Sequence, residues 1–486
     1  MASTAQFRMT ERKEQADLIV DVGEVPLLSE WIYCLVAPFP TVTDGITTSE
    51  LRSLWQGDAG KDFPARKLVL DGSTRAILEK IWGPASDATV EVIAQKDLLT
   101  SAWETEGTWS IIPFEQLEPG WKVIAIDRQS PLKKTFQPAG YPLRIPFAII
   151  GSPDAVTAFQ DTSTSDGKER TVPASNRSPD KLTTVVLTGV TALVGGTASM
   201  MERNGMTYPA IDIGDMLRDA DILHISNEVP FTATCPKASQ NMANRANLIL
   251  CSRPEYIQLL EAIGTDVVEL TGDHFRDWGP EAMLMTLDMY TERGWQYYGG
   301  GRNLADGMKP ALFIHNGNKI AFLGCNAKPR GYSTASETNP GAVHCDLDSM
   351  ADVIREVKEE GYLPIFTFQH LEYYSYKRNP NLIGDFQWAA DAGAVIVSGS
   401  QAHQPHAFEF YKDSLLHYGL GNLFFDQFKE GFPKRQAFID RHIFYDGRYI
   451  STELETIMFV DYARTRFMTK DERNDLLQTA FAASGW

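Results

Sequence analysis

From Thr183 onward, apolar runs alternate with amphipathic segments, and several of the runs close in a short polar tip. The runs 184–190, 221–226, 266–270, 319–325, 363–368 and 394–398 have the length and β-branched content of buried strands. Segments 211–220, 254–263, 280–293, 347–360 and 385–392 carry helical spacing between them. Such alternation predicts a layered α/β domain, which 437–445, 452–462 and a helix over 470–482 begun by Thr469 extend toward the C-terminus. The tips are Ser226-Asn227-Glu228, Gly272-Asp273-His274 with Asp277, Gln369-His370 with Glu372, and Gly399-Ser400-Gln401-Ala402-His403. Strand C-termini on one edge of an open α/β sheet converge on a crevice, so residues distant in sequence can build one site there. Carboxylates, imidazoles and amides gathered at such an edge make a metal or acid–base centre.

Ahead of this region lies a second apolar module with helical pieces at 49–55 and 73–82 and a strand at 122–127. The stretch between them is rich in Ser, Thr, Asp, Pro and Gly and contains Asp161-Thr-Ser-Thr-Ser-Asp-Gly167. The expected organisation is an α/β domain over 1–150, a linker over 151–182 and a larger α/β domain over 183–486. A chain of 486 residues exceeds one ordinary core, and 43% hydrophobic against 22% charged residues is a globular balance.

The formal net charge of −18 argues against nucleic acid and anionic membrane as general partners, since both are bound through excess Lys and Arg. No run approaches the roughly 18 apolar residues of a spanning helix, and the start of the chain shows no secretory h-region, which leaves a cytoplasmic or an already processed protein as the two expectations. None of the five cysteines forms a CxxC motif. Cys235 with Cys251 and Cys325 with Cys345 can each close a short loop in an oxidising compartment, leaving Cys34 unpaired; free, buried thiols are the other reading.

Read by chemistry alone, the tips offer oxygen and nitrogen donors suited to Mn, Fe or Zn. Asn227 and Glu228 end one strand, Asp273 stands beside His274 after another, and His403 supplies an imidazole from a third. A solvated loop hydrogen-bonding role is the alternative for each.

The region from about Thr183 to Gln427 resembles the CapA family of poly-γ-glutamate capsule synthesis proteins, which have a calcineurin-like metallophosphatase fold. The resemblance rests on Asp221–Glu228 with Val229-Pro230, Leu270-Thr-Gly-Asp-His-Phe-Arg-Asp-Trp-Gly279, Tyr298-Gly-Gly-Gly-Arg-Asn303, 319–326, Glu372-Tyr373, Asp391-Ala-Gly-Ala394, Gly399–His403 and Tyr418-Gly-Leu-Gly-Asn-Leu-Phe-Phe-Asp426. Departures accompany it. The family's first strand ends in Gly-Asp, whereas this one ends Gly189-Val190; Asn-Asn-His becomes Gly272-Asp273-His274; His-Trp-Gly-x-Glu becomes Phe368-Gln-His-Leu-Glu372; and Gly-His-His-x-His becomes Gly399-Ser-Gln-Ala-His403. With Val190 unable to ligate, the resemblance implies at most one ion, held by Glu228, Asp273 and His403 with Gln401 or His370 as further donors, or none; it makes His274, three residues before Asp277 as in the family's His-x-x-Asp, the expected general acid, and Glu372 a substrate-contacting or orienting carboxylate. Residues 20–150 resemble half of a type II periplasmic solute-binding protein in Glu50-Leu-Arg-Ser-Leu-Trp-Gln-Gly57, Trp109-Ser-Ile-Ile-Pro-Phe114 and Gly140-Tyr-Pro-Leu143.

The resemblance implies an extracytoplasmic or cell-surface protein handling an anionic polymer such as poly-γ-glutamate, or a small-molecule substrate, by metal-assisted hydrolysis or transfer. A catalytically depleted binding or assembly protein is the other expectation. Arg276, Arg302, Lys328, Arg330, Lys377 and Arg378 beside the motif loops are the expected cationic rim for a polyanion.

Overall fold

In the computed structural model, which describes residues 10, 12–164, 172–238, 249–331 and 333–486, the chain divides into two units, Met1–Asp180 and Lys181–Trp486. The first is built on a mixed sheet in the order Leu18–Val22, Arg144–Gly151, Leu27–Pro38, Thr108–Pro113, Lys67–Leu70, Val90–Val92. Helix Thr48–Gln56 starts at a capping box in which Thr47 and Glu50 satisfy each other's backbone N–H, and Asp71 caps helix Gly72–Trp82. Trp55, Trp109 and Trp121 are buried, so these aromatics serve as packing.

The stretch expected to be a linker is tied into this unit. Helix Pro153–Thr164 follows the strand ending at Gly151, and the backbone N–H of Glu30 donates to Ala174 O at 2.8 Å. Asn176 accepts the N–H of Ile32 at 2.8 Å and donates to Ile32 O at 3.0 Å. Polar composition misled here because these side chains satisfy a strand's backbone rather than water. The Ser165–Gly167 part of the polar run lies outside the described residues.

The second unit is a sandwich of two sheets with helices on their outer faces. One sheet runs Gln296–Tyr298, Val267–Glu269, Ile222–Asn227, Leu182–Leu187, Gln436–Tyr445, Arg448–Phe459, Thr465–Phe467; its first four strands are parallel. The other runs Ala311–His315, Asn318–Asn326, Leu363–Gln369, Ile396–Ser398, Ser414–His417, Phe408–Tyr411, and the middle four are parallel. Period-2 alternation sorts the faces. Leu223, Ile225 and Val268 pack with Ile257, Met283 and Leu287 of one helical layer, whereas Phe366 and Phe368 pack with Ile354 and Phe386 of the other. The inner faces meet through Tyr298 Oη and Thr367 Oγ1 at 3.0 Å, and His224 stacks on Phe322.

Glu228, Asp273 and Gln401 follow strand C-termini, Asn326 and Gln369 close theirs, and hydrogen bonds from Gln369 to Asp273 and from Gln401 to Ser226 bring the tips of both sheets to one edge. The short strand Val190–Thr191 joins that edge between Ile222–Asn227 and Asn422–Phe424. Glycine is required at 189: a Cβ there would lie 1.8 Å from Gly421 O.

Candidate functional site

Glu228 follows strand Ile222–Asn227 and is fixed by its backbone N–H to Thr191 O at 2.9 Å. It is 1% exposed, and its Oε2 is buried without a hydrogen-bond partner among the described residues. Burial raises its carboxyl above the ordinary range despite the nearby His403 and His274. Asp273 and His274 stand on the loop after Val267–Glu269, just before helix Gly279–Glu292. One donor atom from each of Glu228, Asp273 and His274 lies within 4.8 Å of the others.

Each member of this trio has dedicated supports. Asp273 Oδ1 accepts from Gln369 Nε2 at 2.8 Å and Oδ2 from Lys328 Nζ at 2.9 Å. Burial opposes its ionisation, but Lys328 and His274 outweigh that and hold the carboxyl below its usual value. His274 Nδ1 lies 2.8 Å from Asp277 Oδ2, which leaves Nε2 as the nitrogen available to a ligand. Burial pushes the imidazole down, yet Asp277, Glu228 and Asp273 together raise it to about 9.

Glu372 faces the same edge. Its Oε1 takes Lys328 Nζ at 3.0 Å, its Oε2 accepts the Tyr374 hydroxyl, and His403 Nε2 lies 3.9 Å from Oε1. Burial works against its charge, but His403, Tyr374 and Lys328 prevail and bring the carboxyl down to about 2. His403 is 6% exposed and its Nδ1 meets Asn422 Oδ1 at 2.9 Å. The Lys328 ammonium is disfavoured by burial, yet Asp273 and Glu372 leave its pKa raised.

Glu228, Asp273 and His274 are thus brought together, with Asp277 behind His274, while Glu372 and His403 form an adjoining pair. His403 stands outside the trio in which it was expected as a ligand. His370 is directed elsewhere: Nε2 meets Asp385 Oδ2 at 3.0 Å and Nδ1 accepts the Leu371 N–H at 2.9 Å, so both nitrogens are occupied. Gln401 donates to Ser226 Oγ at 2.5 Å, tying the two sheets together. Val190 belongs to an apolar cluster with Ala192, Val194, Val229 and Phe425. The cationic rim is reduced, since Arg302 pairs with Asp288, Arg378 with Glu409, and Lys328 is held inside the site. Three residues that support the trio, Asn326, Gln369 and Lys328, were not assigned that role from the sequence. Asn326 and Gln369 close their strands as polar tips and carried the same signal as the residues that were chosen. Lys328, in an aperiodic loop, carried none.

The donor set is of a kind that fits a divalent cation: two carboxylates and an imidazole offer oxygen and nitrogen ligands, and Asp277 orients the imidazole as outer partners of metal-bound histidine do.

Both disulfide pairs form, Cys235–Cys251 and Cys325–Cys345, with Cα separations of 5.8 and 5.0 Å, and Cys34 is free and buried. Among the described residues no helix is long and apolar enough to cross a membrane.

A two-sheet α/β sandwich carrying an acid, imidazole and amide centre at its strand ends defines the class of the second unit. The chain belongs to the bacterial capsule synthesis protein PGA_cap family, whose model matches residues 184–427. It is 25% identical over 263 residues to the capsule biosynthesis protein CapA of Bacillus anthracis, covering 53% of this chain and 63% of that relative. The chain therefore spans less than two thirds of that relative's length. Among solved structures it is similar to a 5'-nucleotidase precursor from Thermus thermophilus, at 12% identity and a TM-score of 0.35, over 63% of this chain and 58% of that one. An ABC-type phosphate transport receptor from Vibrio cholerae matches 32% of this chain and 70% of its own at 16% identity and a TM-score of 0.25.

Proposed function

We propose that the second unit works at the cell envelope on the γ-glutamyl amide bonds of an anionic polymer, by hydrolysis or transfer, with one divalent ion held by Glu228, Asp273 and His274. The observation that carries this reading is the convergence of those three residues, one with a buried unpartnered oxygen, inside the segment that matches the family. The name of the Bacillus anthracis relative supports a capsule polymer as substrate class. The two disulfides support an oxidising, extracytoplasmic compartment.

An ion in this position supplies a Lewis acid for a carbonyl oxygen. The chain's own residues do the rest. Asp277 fixes the His274 ring through Nδ1, and Gln369 with Lys328 fixes both oxygens of Asp273. The geometry favours exchanging the two imidazole roles expected from sequence: His274 holds the ion, and His403, beside ionised Glu372, carries the proton. Amine release from γ-linked polyglutamate by the Mn-loaded protein tests the reading. Absence of amine release with Mn, Fe and Zn alike would remove the catalytic proposal.

Val190, Phe368 and Gln401 favour a second reading, polymer binding without chemistry: the first two pack in apolar clusters, and the third puts an amide, tied to Ser226 through Nε2, where the family places an imidazole. Retained polymer binding with no amine release identifies it.

A further inference from the structure

Asp273 and Glu372 come from loops after strands of different sheets, and a single ammonium joins them: Lys328 Nζ is 2.9 Å from Asp273 Oδ2 and 3.0 Å from Glu372 Oε1. His403 Nε2, 3.9 Å from Glu372 Oε1, completes a second group of oxygen and nitrogen donors beside the first. This is the composition of a metal site with its centre filled by a side chain.

The lysine is built in rather than draped over the surface. Its side chain is 15% exposed. Its backbone N–H donates to Asn326 Oδ1 at 2.8 Å, and Asn326 Nδ2 donates to Thr271 O at 2.7 Å and Gln369 Oε1 at 2.9 Å. Gln369 in turn holds Asp273, so the ring of contacts closes on the carboxylate that Lys328 grips. The Cys325–Cys345 disulfide anchors the base of the Lys328 loop, one residue before Asn326.

We propose that Lys328 is a resident cation, holding Asp273 and Glu372 in the place of a second metal ion and limiting the crevice to one divalent ion at Glu228, Asp273 and His274. An ammonium matches the sign of an ion but offers three donors and no exchangeable ligand position. It can hold two carboxylates apart from each other's repulsion, yet it cannot activate water or polarise an oxygen as a Lewis acid. A two-ion clamp, which needs ions about 3.5–4 Å apart on both sides of a displaced group, has no room while Lys328 is in place. Val190 and Gln401 agree with this, since neither supplies the extra negative charge that a second ion would need. Lys328 is therefore a positioning residue, and the inference rests on the one-ion reading given above.

Metal stoichiometry after equilibration with Mn and removal of free ion decides the matter, measured by elemental analysis on the full chain as wild type, Lys328→Met and Lys328→Arg. The expected result is one equivalent in wild type, two in Lys328→Met and one in Lys328→Arg, where a cation is restored. Two equivalents in wild type overturn the inference, and so does a folded Lys328→Met that stays at the wild-type number. If Lys328→Met fails to fold, Lys328→Gln is read by the same criteria, with circular dichroism confirming its fold. No ion in wild type with one gained in Lys328→Met upholds the resident cation while removing the one-ion reading, so the two failures are distinguishable.

Discussion

Asp277 Oδ2 lies 2.8 Å from His274 Nδ1 and also accepts the backbone N–H of Leu250 at 2.7 Å, so one shielded carboxylate sets both the ring orientation and the position of a neighbouring loop. Its side chain has no exposed surface. Asp277→Asn keeps the shape and removes the charge. Metal affinity is expected to fall by about 10–100-fold, the usual effect of losing an outer partner of a liganding histidine. Titration with Mn checks this; unchanged affinity would show that Asp277 serves only the loop.

The two imidazoles separate by the same kind of measurement. His274→Gln should lose bound metal and activity together. His403→Gln should keep the metal and lose activity, because His403 lies beside Glu372 and outside the trio. Equal loss of metal in both variants would return His403 to the ligand role.

Cys235–Cys251 closes a loop with a sequence separation of 16. Replacing both cysteines by serine should cost about 3 kcal/mol by the loop-entropy relation, seen as a lower urea midpoint under oxidising conditions. Wild type in reductant, which opens Cys325–Cys345 as well, should match the variant in reductant. A midpoint identical in all samples would show that the bridge does not form in solution.

The strand tips were legible because each ends an apolar run, and the expectation that Glu228, Asp273 and Gln401 share one edge came from the convergence of strand C-termini in open α/β sheets. Parity within a strand was harder to read. Phe366 and Phe368 share one face of Leu363–Gln369, the face toward helix Pro380–Ala392, whereas Thr367 and Gln369 face inward, and His370, one residue past the strand, meets Asp385 of that helix. His370 therefore turns to Asp385, and its offset of two positions from the aligned histidine does not restore a ligand. Lys328 was legible only as a surface charge. Its contacts lie 55 residues earlier, at Asp273, and 44 later, at Glu372, and nothing local in Ala327-Lys-Pro-Arg330 encodes them.

Acid should weaken the fold through buried histidines outside the site. Burial lowers His442 and His406 to about 4; Asp440 opposes this at His442, and the Tyr373 carbonyl opposes it at His406. An unfolded histidine titrates near about 6.5, so between these values the unfolded chain binds more protons than the folded one. Stability is then complete above about pH 6.5, declines as pH falls toward about 4, and levels off below that for these groups. Each imidazole contributes on the order of a few kcal/mol across the window. Urea midpoints from about pH 7 to about pH 4.5 should fall more steeply for wild type than for His442→Asn. Parallel slopes would show that His442 is not buried neutral.

Val190 stands where the family carries an aspartate, and its surroundings decide what a restored carboxylate would do. It is 0% exposed, packed with Ala192, Val194, Val229 and Phe425, and paired in register with Ser226 and Asn422. In Val190→Asp a charge enters that apolar cluster without a partner, and the expected cost without metal is on the order of several kcal/mol. Added Mn should recover part of it, because an ion recruited beside Glu228 offers the new carboxylate a counter-charge and binds only the folded state. Urea unfolding with chelator and with Mn measures both terms. Full stability in chelator would mean that the site is wetter than its packing indicates. Because an ion at Glu228, Asp273 and His274 stabilises wild type as well, the gain of Val190→Asp in Mn is read against that of wild type, and equal gains would mean that the new carboxylate makes no contact with the ion.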